Sequence, residues 1–315
     1  MKINFLNRQQ VDEARWNACM DASVNGMIYG YSWYLDIVSP GWCALADEDY
    51  HYIFPLPRLK CNFNEIIIQP LYTQQLGLFS DSHLSPEILD EFICAIPSRY
   101  RYIGINLNTL NRTERYADNT SARVTYRLDL FSSYENIQKK YCQNTRRNNL
   151  KAYALGCRVE RSITPAEFLG FYSKYGVPRQ RMRHYVKVRQ LVASLMKRDR
   201  GELVGVYTPG SQLCAVSLIC KSNGKLIYLL AASSPLGRQN RAMFALVDQV
   251  IRWYSETELV FDFEGSMIPS IARFYGGFGA TPCSYSSITI NHLPLYARFL
   301  FIAENGIRTL ARKVL

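Results

Sequence analysis

No Cys-x-x-Cys and no paired spacing occurs among the nine cysteines (Cys19, Cys43, Cys61, Cys94, Cys142, Cys157, Cys214, Cys220, Cys283). That scatter argues against a disulfide framework or a zinc knuckle and reads as reduced thiols in a reducing compartment. His51, His83, His184 and His292 share no ligand spacing, so no metal is expected. Gly-x-Ser-x-Gly, the P-loop and His-Glu-x-x-His are all missing, which removes nucleophile-elbow hydrolases, P-loop phosphotransferases and zinc peptidases. Nothing repeats at solenoid spacing. No apolar run reaches membrane-spanning length, because Arg298 interrupts the best one. The segment Met1–Arg8 holds too short an apolar run for a signal peptide, and the expectation is a cytoplasmic protein.

What is present is ordinary in bulk and uneven in charge. A chain of 315 residues is comfortable as two domains of about 150 residues. Its 48% hydrophobic and 20% charged residues are those of a globular protein. The net charge of +11 is concentrated: residues 139–200 hold sixteen Lys/Arg against Glu160, Glu167 and Asp199. Such a segment suits a polyanionic partner (a phosphorylated cofactor, RNA or an anionic lipid surface), or it is a solvated helical face.

Residues 259–279 carry the most chemistry. Val260, Asp262 and Glu264 alternate with Phe261, Phe263 and Gly265 at the two-residue period of a strand, which sets the two carboxylates about 6.6 Å apart on one face. Gly265-Ser266 ends the strand and Pro269 opens a helix whose Ile271, Phe274 and Tyr275 share a side, with Gly276-Gly277 as its stop. Ser266 is placed to cap that helix. Two acids on an apolar strand are either an ion pair with Arg273 and a solvated neighbour, or a general base poised by burial.

The first 120 residues read as a mixed α/β unit. Strands are expected at 3–6, 43–46, 50–57, 64–69 and 102–106, with helices at 11–20 and from Ser85 to Ala95, where Pro86 takes the first position. The polar run 108–121 reads as a linker or exposed hairpin. In the second half a strand at 123–130 precedes a helix from Ser132 to Ala154 with a basic side at Lys139, Lys140, Arg146, Arg147 and Lys151. Thr164-Pro-Ala-Glu167 is a capping box, and a second basic helix spans 179–197. Strands at 202–207, 213–220 and 225–232 form an antiparallel set, followed by the polar loop 234–241 and an amphipathic helix 242–254. On that helix Met243, Leu246, Val247, Val250 and Tyr254 form the buried stripe, with Asp248, Gln249 and Arg252 off it. A strand at 284–290 and a helix at 295–315 complete the chain.

This element order is that of the GNAT acyltransferase fold. Three segments, Arg146-Arg147-Asn-Asn-Leu-Lys-Ala-Tyr-Ala-Leu-Gly156, Phe261-Asp-Phe-Glu-Gly-Ser266 and Arg273-Phe-Tyr-Gly-Gly-Phe-Gly279, resemble one branch of it. That branch is the FemABX-like group, the Fem-type peptidyltransferases and their bacterial acetyltransferase-like relatives. Gln69-Pro-Leu-Tyr-Thr-Gln-Gln-Leu-Gly77 resembles the same group. The resemblance implies an α/β (α+β) chain of two tandem GNAT-like domains, each a mixed, largely antiparallel sheet flanked by helices, at 1–121 and 122–292, with 293–315 as an amphipathic C-terminal helix. The helical arm that some Fem-type enzymes insert in the second domain has no room here, which speaks against interpeptide synthesis.

The implied activity is N-acyl transfer from acyl-coenzyme A or aminoacyl-tRNA, without a metal, to a small-molecule or cell-envelope amine. Glu264 is the expected base, oriented by Asp262, and Tyr275 the candidate acid. Arg238, Gln239, Asn240 and Arg241, at the start of the 242–254 helix, form the expected phosphate site, although the usual spaced glycines are absent. A backbone amide near Leu230 or Ala231 would receive the oxyanion. Tyr72, Gln74 and Gln75 are expected to line the acceptor cleft. Lys139, Lys140, Arg146 and Arg147 would meet a polyanion such as tRNA. Two alternatives stand beside this: an RNA-binding protein on a degenerate transferase fold, and a membrane-surface protein acting on lipid-linked material through 293–315.

Overall fold

The computed structural model describes residues 1–61, 64–161, 163–176, 182–265 and 267–294. In the first half β1 (Ile3–Asn7) precedes α1 (Glu13–Ala22) and α2 (Ser32–Val38). Strands β2 (Cys43–Asp47), β3 (Tyr52–Leu56), β4 (Arg58–Cys61), β5 (Asn64–Ile68) and β6 (Phe79–Ser80) follow, then α3 (Pro86–Cys94) and β7 (Tyr100–Asn106). The second half opens with β8 (Thr120–Asp129), α4 (Tyr134–Lys139), α5 (Gln143–Ala154), β9 (Arg158–Arg161), α6 (Pro165–Tyr175) and α7 (Met182–Lys197). It continues through β10 (Gly201–Tyr207), β11 (Leu213–Ser222), β12 (Lys225–Ser233), α8 (Pro235–Gln239) and α9 (Ala242–Tyr254) to β13 (Val260–Gly265), α10 (Pro269–Gly276) and β14 (Thr281–Asn291).

Local chemistry sets many of these ends. Ser85 accepts from Ile88 N with Pro86 behind it, and Thr164 and Glu167 close a reciprocal capping box. The strand expected at 50–57 is present as β3, which pairs with β2 and β6, and past Pro57 the chain enters β4, which pairs with β5 in a different sheet. Three expectations are corrected. The run 108–121 is not an exposed linker throughout, because buried Asn108 and Asn111 donate to the Leu76 and Leu78 carbonyls. The helix from Ser132 breaks between α4 and α5, where Cys142 N donates to Gly277 O at 2.9 Å. Asp248, placed off the buried stripe of α9, is itself buried, since the hydroxyls of Tyr134 and Tyr153 satisfy its carboxylate.

Two sheets result. One has the order β1-β2-β3-β6 and the other β4-β5-β7-β14-β8-β13-β12-β11-β10-β9. Pairing is antiparallel except at β5–β7 and β12–β13. The long sheet crosses both halves, because β14 pairs with β7 (Ile288 opposite Ile105) as well as with β8 (Ser284 opposite Val124). β13 runs through its middle. Phe261 and Phe263 pack into a core under α9 with Tyr228 and Phe278. The opposite face, with Ile227 and Leu229, packs on Tyr29, Tyr34, Phe168 and Tyr172 from α6 and the first half. Asp262 and Glu264 belong to this second face.

Candidate active site

Asp262 is 1% exposed and anchors the site. Arg127, its cross-strand neighbour on β8, donates Nε to Oδ2 at 2.9 Å, and Thr125 donates Oγ1 to Oδ1 at 2.5 Å. The expected partner, Arg273, is instead exposed on α10. The reason is register: Arg127 stands directly opposite Asp262, within reach without bending the chain. Asp262 Oδ1 also accepts from the backbone N–H of Glu264 at 3.1 Å. That bond bridges a break in register between Asp262 and Gly265, where Glu264 takes a left-handed φ of 56°.

The half-buried Glu264 side chain leaves the end of β13 toward the first half, and Tyr29 donates its hydroxyl to Oε1. Removal from water pushes its carboxyl up to about 8, and the charge of Asp262 adds to the rise while the Tyr29 hydrogen bond opposes it. Gly265 must lack a side chain, for a Cβ would sit 2.5 Å from Val124 O and 2.7 Å from Gln74 Nε2. The first half thus lies against the acidic strand end.

Gln74 is half-buried, and among the described residues its Nε2 has no hydrogen-bond partner. Gln75, fully buried, stands behind it and donates Nε2 to Gln74 Oε1 at 2.8 Å. Tyr72 is half-buried, and its carbonyl accepts from Tyr34. Of this trio, Gln74 lies against Gly265, next to Glu264.

On the other side of the strand a cleft of about 480 Å³ opens. Parallel pairing of β12 with β13 stops at Ile227 opposite Asp262, while β12 continues beside β11 to Ser233. The cleft fills the gap, lined by Tyr228, Ala231 and Ser233 of β12 and by Phe274 and Tyr275 of α10, with Arg238 and Arg241 at its other wall. Leu230 turns its side chain into the core and contributes only backbone to this edge. The polar loop 234–241 is partly helical: Ser234 caps α8 by accepting from Gly237 N. Arg241, at a left-handed φ of 57°, precedes the 13-residue α9 and offers no side-chain cap, although its carbonyl accepts from Phe244 N at 2.9 Å, so the helix N-terminus faces two arginines without a capping side chain. Gln239 and Asn240 sit on the same turn, but Arg238 and Arg241 are the members that line the cleft. Tyr275 lines it too, and burial pushes its hydroxyl well above the ordinary tyrosine value.

Lys139, Lys140, Arg146 and Arg147 are exposed around the α4–α5 break. Arg146 and Arg147 line a groove of about 510 Å³ with Gln143, Asn144 and Leu150. Ser266 and the 295–315 helix lie outside the described residues, as do residues 179–181 of the second basic helix. Among the described residues no group of three or more His, Cys, Asp or Glu could hold a metal, and no helix is long and apolar enough to cross a membrane. Tyr29 and Arg127 were not singled out from sequence. Arg127 carried a faint signal, as a cation on the strand expected at 123–130.

No protein-family model and no curated protein sequence matches the chain. Solved structures do. FemX superposes with a TM-score of 0.65 at 14% identity, covering 94% of this chain and 99% of that one. L-PGS from Bacillus licheniformis gives 0.56 at 11% identity over 93% and 95%. A conserved protein of unknown function from Bacteroides thetaiotaomicron VPI-5482 gives 0.56 at 9% identity over 91% and 99%. The superpositions with FemX and L-PGS cover nearly all of this chain, through both halves, so the chain shares their fold.

Proposed function

We propose that the chain is a transferase that moves an acyl or aminoacyl group from acyl-coenzyme A or aminoacyl-tRNA to an amine acceptor. The observation that carries this reading is the placement of Glu264: a carboxyl raised toward neutrality, at the strand end where β12 and β13 part beside an arginine-flanked cleft. The uncapped N-terminus of α9 with Arg238 and Arg241 holds the donor's phosphates, and the apolar wall of the cleft carries its arm toward the strand split. Backbone amides of β12 near Ala231 stabilise the oxyanion. Glu264 accepts the proton of the attacking amine as the new C–N bond forms. The thioester C–S bond, or the ester C–O bond of an aminoacyl-tRNA, then breaks, and Tyr275 protonates the leaving group. Gln74 and Tyr72 line the acceptor side, with 1–121 and 122–292 as the two units that meet there. Cys19, Cys43, Cys94, Cys142, Cys157, Cys214, Cys220 and Cys283 are free thiols, which suits a reducing compartment.

The test is a thermal melt with coenzyme A, acetyl-coenzyme A, deacylated tRNA and anionic vesicles in parallel. A ligand at about 100 times its Kd stabilises by about 2.7 kcal/mol, a rise of several degrees for a chain of this size. The expected result is a shift with coenzyme A that disappears in Arg238→Ala/Arg241→Ala. A shift with tRNA alone moves the donor to aminoacyl-tRNA, and no shift with either nucleotide ligand rejects the proposal.

A further inference from the structure

We propose that Tyr29, supplied by the first half, is a positioning residue for Glu264: its hydroxyl holds Oε1 in place and leaves Oε2 as the oxygen that takes the acceptor's proton. The proposal rests on the reading of Glu264 as the base. A carboxylate that ends a strand in a left-handed turn has little else to fix it. Among the described residues Tyr29 Oη is the hydrogen-bond donor to the Glu264 side chain, and Oε2 accepts none.

Tyr29 itself cannot follow a moving partner. It is fully buried. The turn Ile28–Gly30 that carries it is tied by Trp16 Nε1, which donates to Gly30 O at 2.8 Å, and a Cβ on Gly30 would lie 2.2 Å from Met20 Cε. Its ring meets that of Tyr34 edge-on at 5.7 Å. A stiff donor on a mobile acceptor selects one rotamer of the acceptor, as preorganisation of a catalytic group requires.

The same bond has an electrostatic signature. A donor to the ionised carboxylate favours that form, so Tyr29 holds the carboxyl below where burial alone would leave it. The other titratable groups facing Glu264 are Tyr34 of α2, Tyr172 of α6, Cys220 of β11, Tyr275 of α10 and Tyr285 of β14, with Asp262 on its own strand. Burial pushes the four tyrosines and the thiol upward, so all stay neutral near pH 7. Arg127 is tied to Asp262. A change in the Glu264 midpoint on altering Tyr29 is therefore attributable to the Tyr29 bond.

The experiment is a carbon-13 NMR titration of the Glu264 carboxyl in the full chain, its resonance identified by its absence in Glu264→Gln. Tyr29→Phe is expected to raise the midpoint by about one pH unit. A 3-fluorotyrosine placed at position 29, a stronger donor, is expected to lower it, and keeps the test informative if the phenylalanine variant folds poorly. An unchanged midpoint in both variants overturns the proposal. Because the titration needs neither donor nor acceptor, its outcome is separate from the coenzyme A melt.

Discussion

Arg127 Nε lies 2.9 Å from Asp262 Oδ2, across the pairing of β8 with β13, with the carboxylate shut off from water and the guanidinium partly buried. Such a pair adds little stability over an apolar substitute, but losing one member leaves a buried charge uncompensated. Arg127→Met is therefore expected to cost about 3–5 kcal/mol, and Arg127→Met/Asp262→Leu to recover only part of it, because Thr125 Oγ1 and Glu264 N then lose their acceptor. Chemical denaturation reads both. Arg273→Ala should leave the midpoint where it is, and a loss there comparable to that of Arg127→Met would restore Arg273 as the partner.

Activity should follow the ionisation of Glu264. A base must be unprotonated to act, so kcat/KM is expected to rise through about pH 8, the midpoint that burial imposes on this carboxyl. Glu264→Gln should lower turnover by about 10²–10⁴-fold and remove that limb of the profile while donor binding persists. A variant with wild-type turnover would take the role of base from this residue.

Much of this site could be read from sequence because its determinants are local. The alternation at 260–265, the Pro269 helix start, the Thr164–Glu167 box and the limits of the 242–254 helix each depend on residues a few positions apart. What stayed hidden depends on register and distance. The donor to Asp262 comes from 135 residues away, and the donor to Glu264 from 235. No periodicity carries such information. The burial of Asp248 stayed hidden for a related reason: a polar residue beside an apolar stripe reads as lying off it until distant hydroxyls from Tyr134 and Tyr153 are found to satisfy it.

Stability should depend on pH through the same carboxyl. Its midpoint is about 8 in the folded chain against 4.5 for the free group, so between those values the folded state holds a proton that the unfolded state has released. The contribution is complete below about pH 4.5 and fades as pH rises to 8. Glu264→Gln stays neutral throughout, so its melting temperature relative to wild type is expected to climb between pH 5 and pH 9. An identical difference at both pH values would remove burial as the cause.

Binding of a polyanion at the α4–α5 break should weaken steeply with salt. Each phosphate contact contributes about 0.9 to the log–log slope for duplex nucleic acid and less for single strands. Arg146→Ala/Arg147→Ala, which strips the two cations from the groove, should flatten the slope by about two contacts. A slope unchanged by the double variant would return both arginines to the solvated surface.

The pairing of β14 with both β7 and β8 has a consequence in time. β7 ends at Asn106 and β8 at Asp129, yet the strand that lies between them begins only at Thr281. At a synthesis rate of about 5–20 residues per second, those two flanks wait roughly ten to thirty seconds for the strand that joins them. During that interval each presents unpaired backbone N–H and C=O groups, the kind of edge that other chains can add to. Until β14 arrives, the newborn polypeptide depends on shielding of these two flanks to avoid pairing with its neighbours.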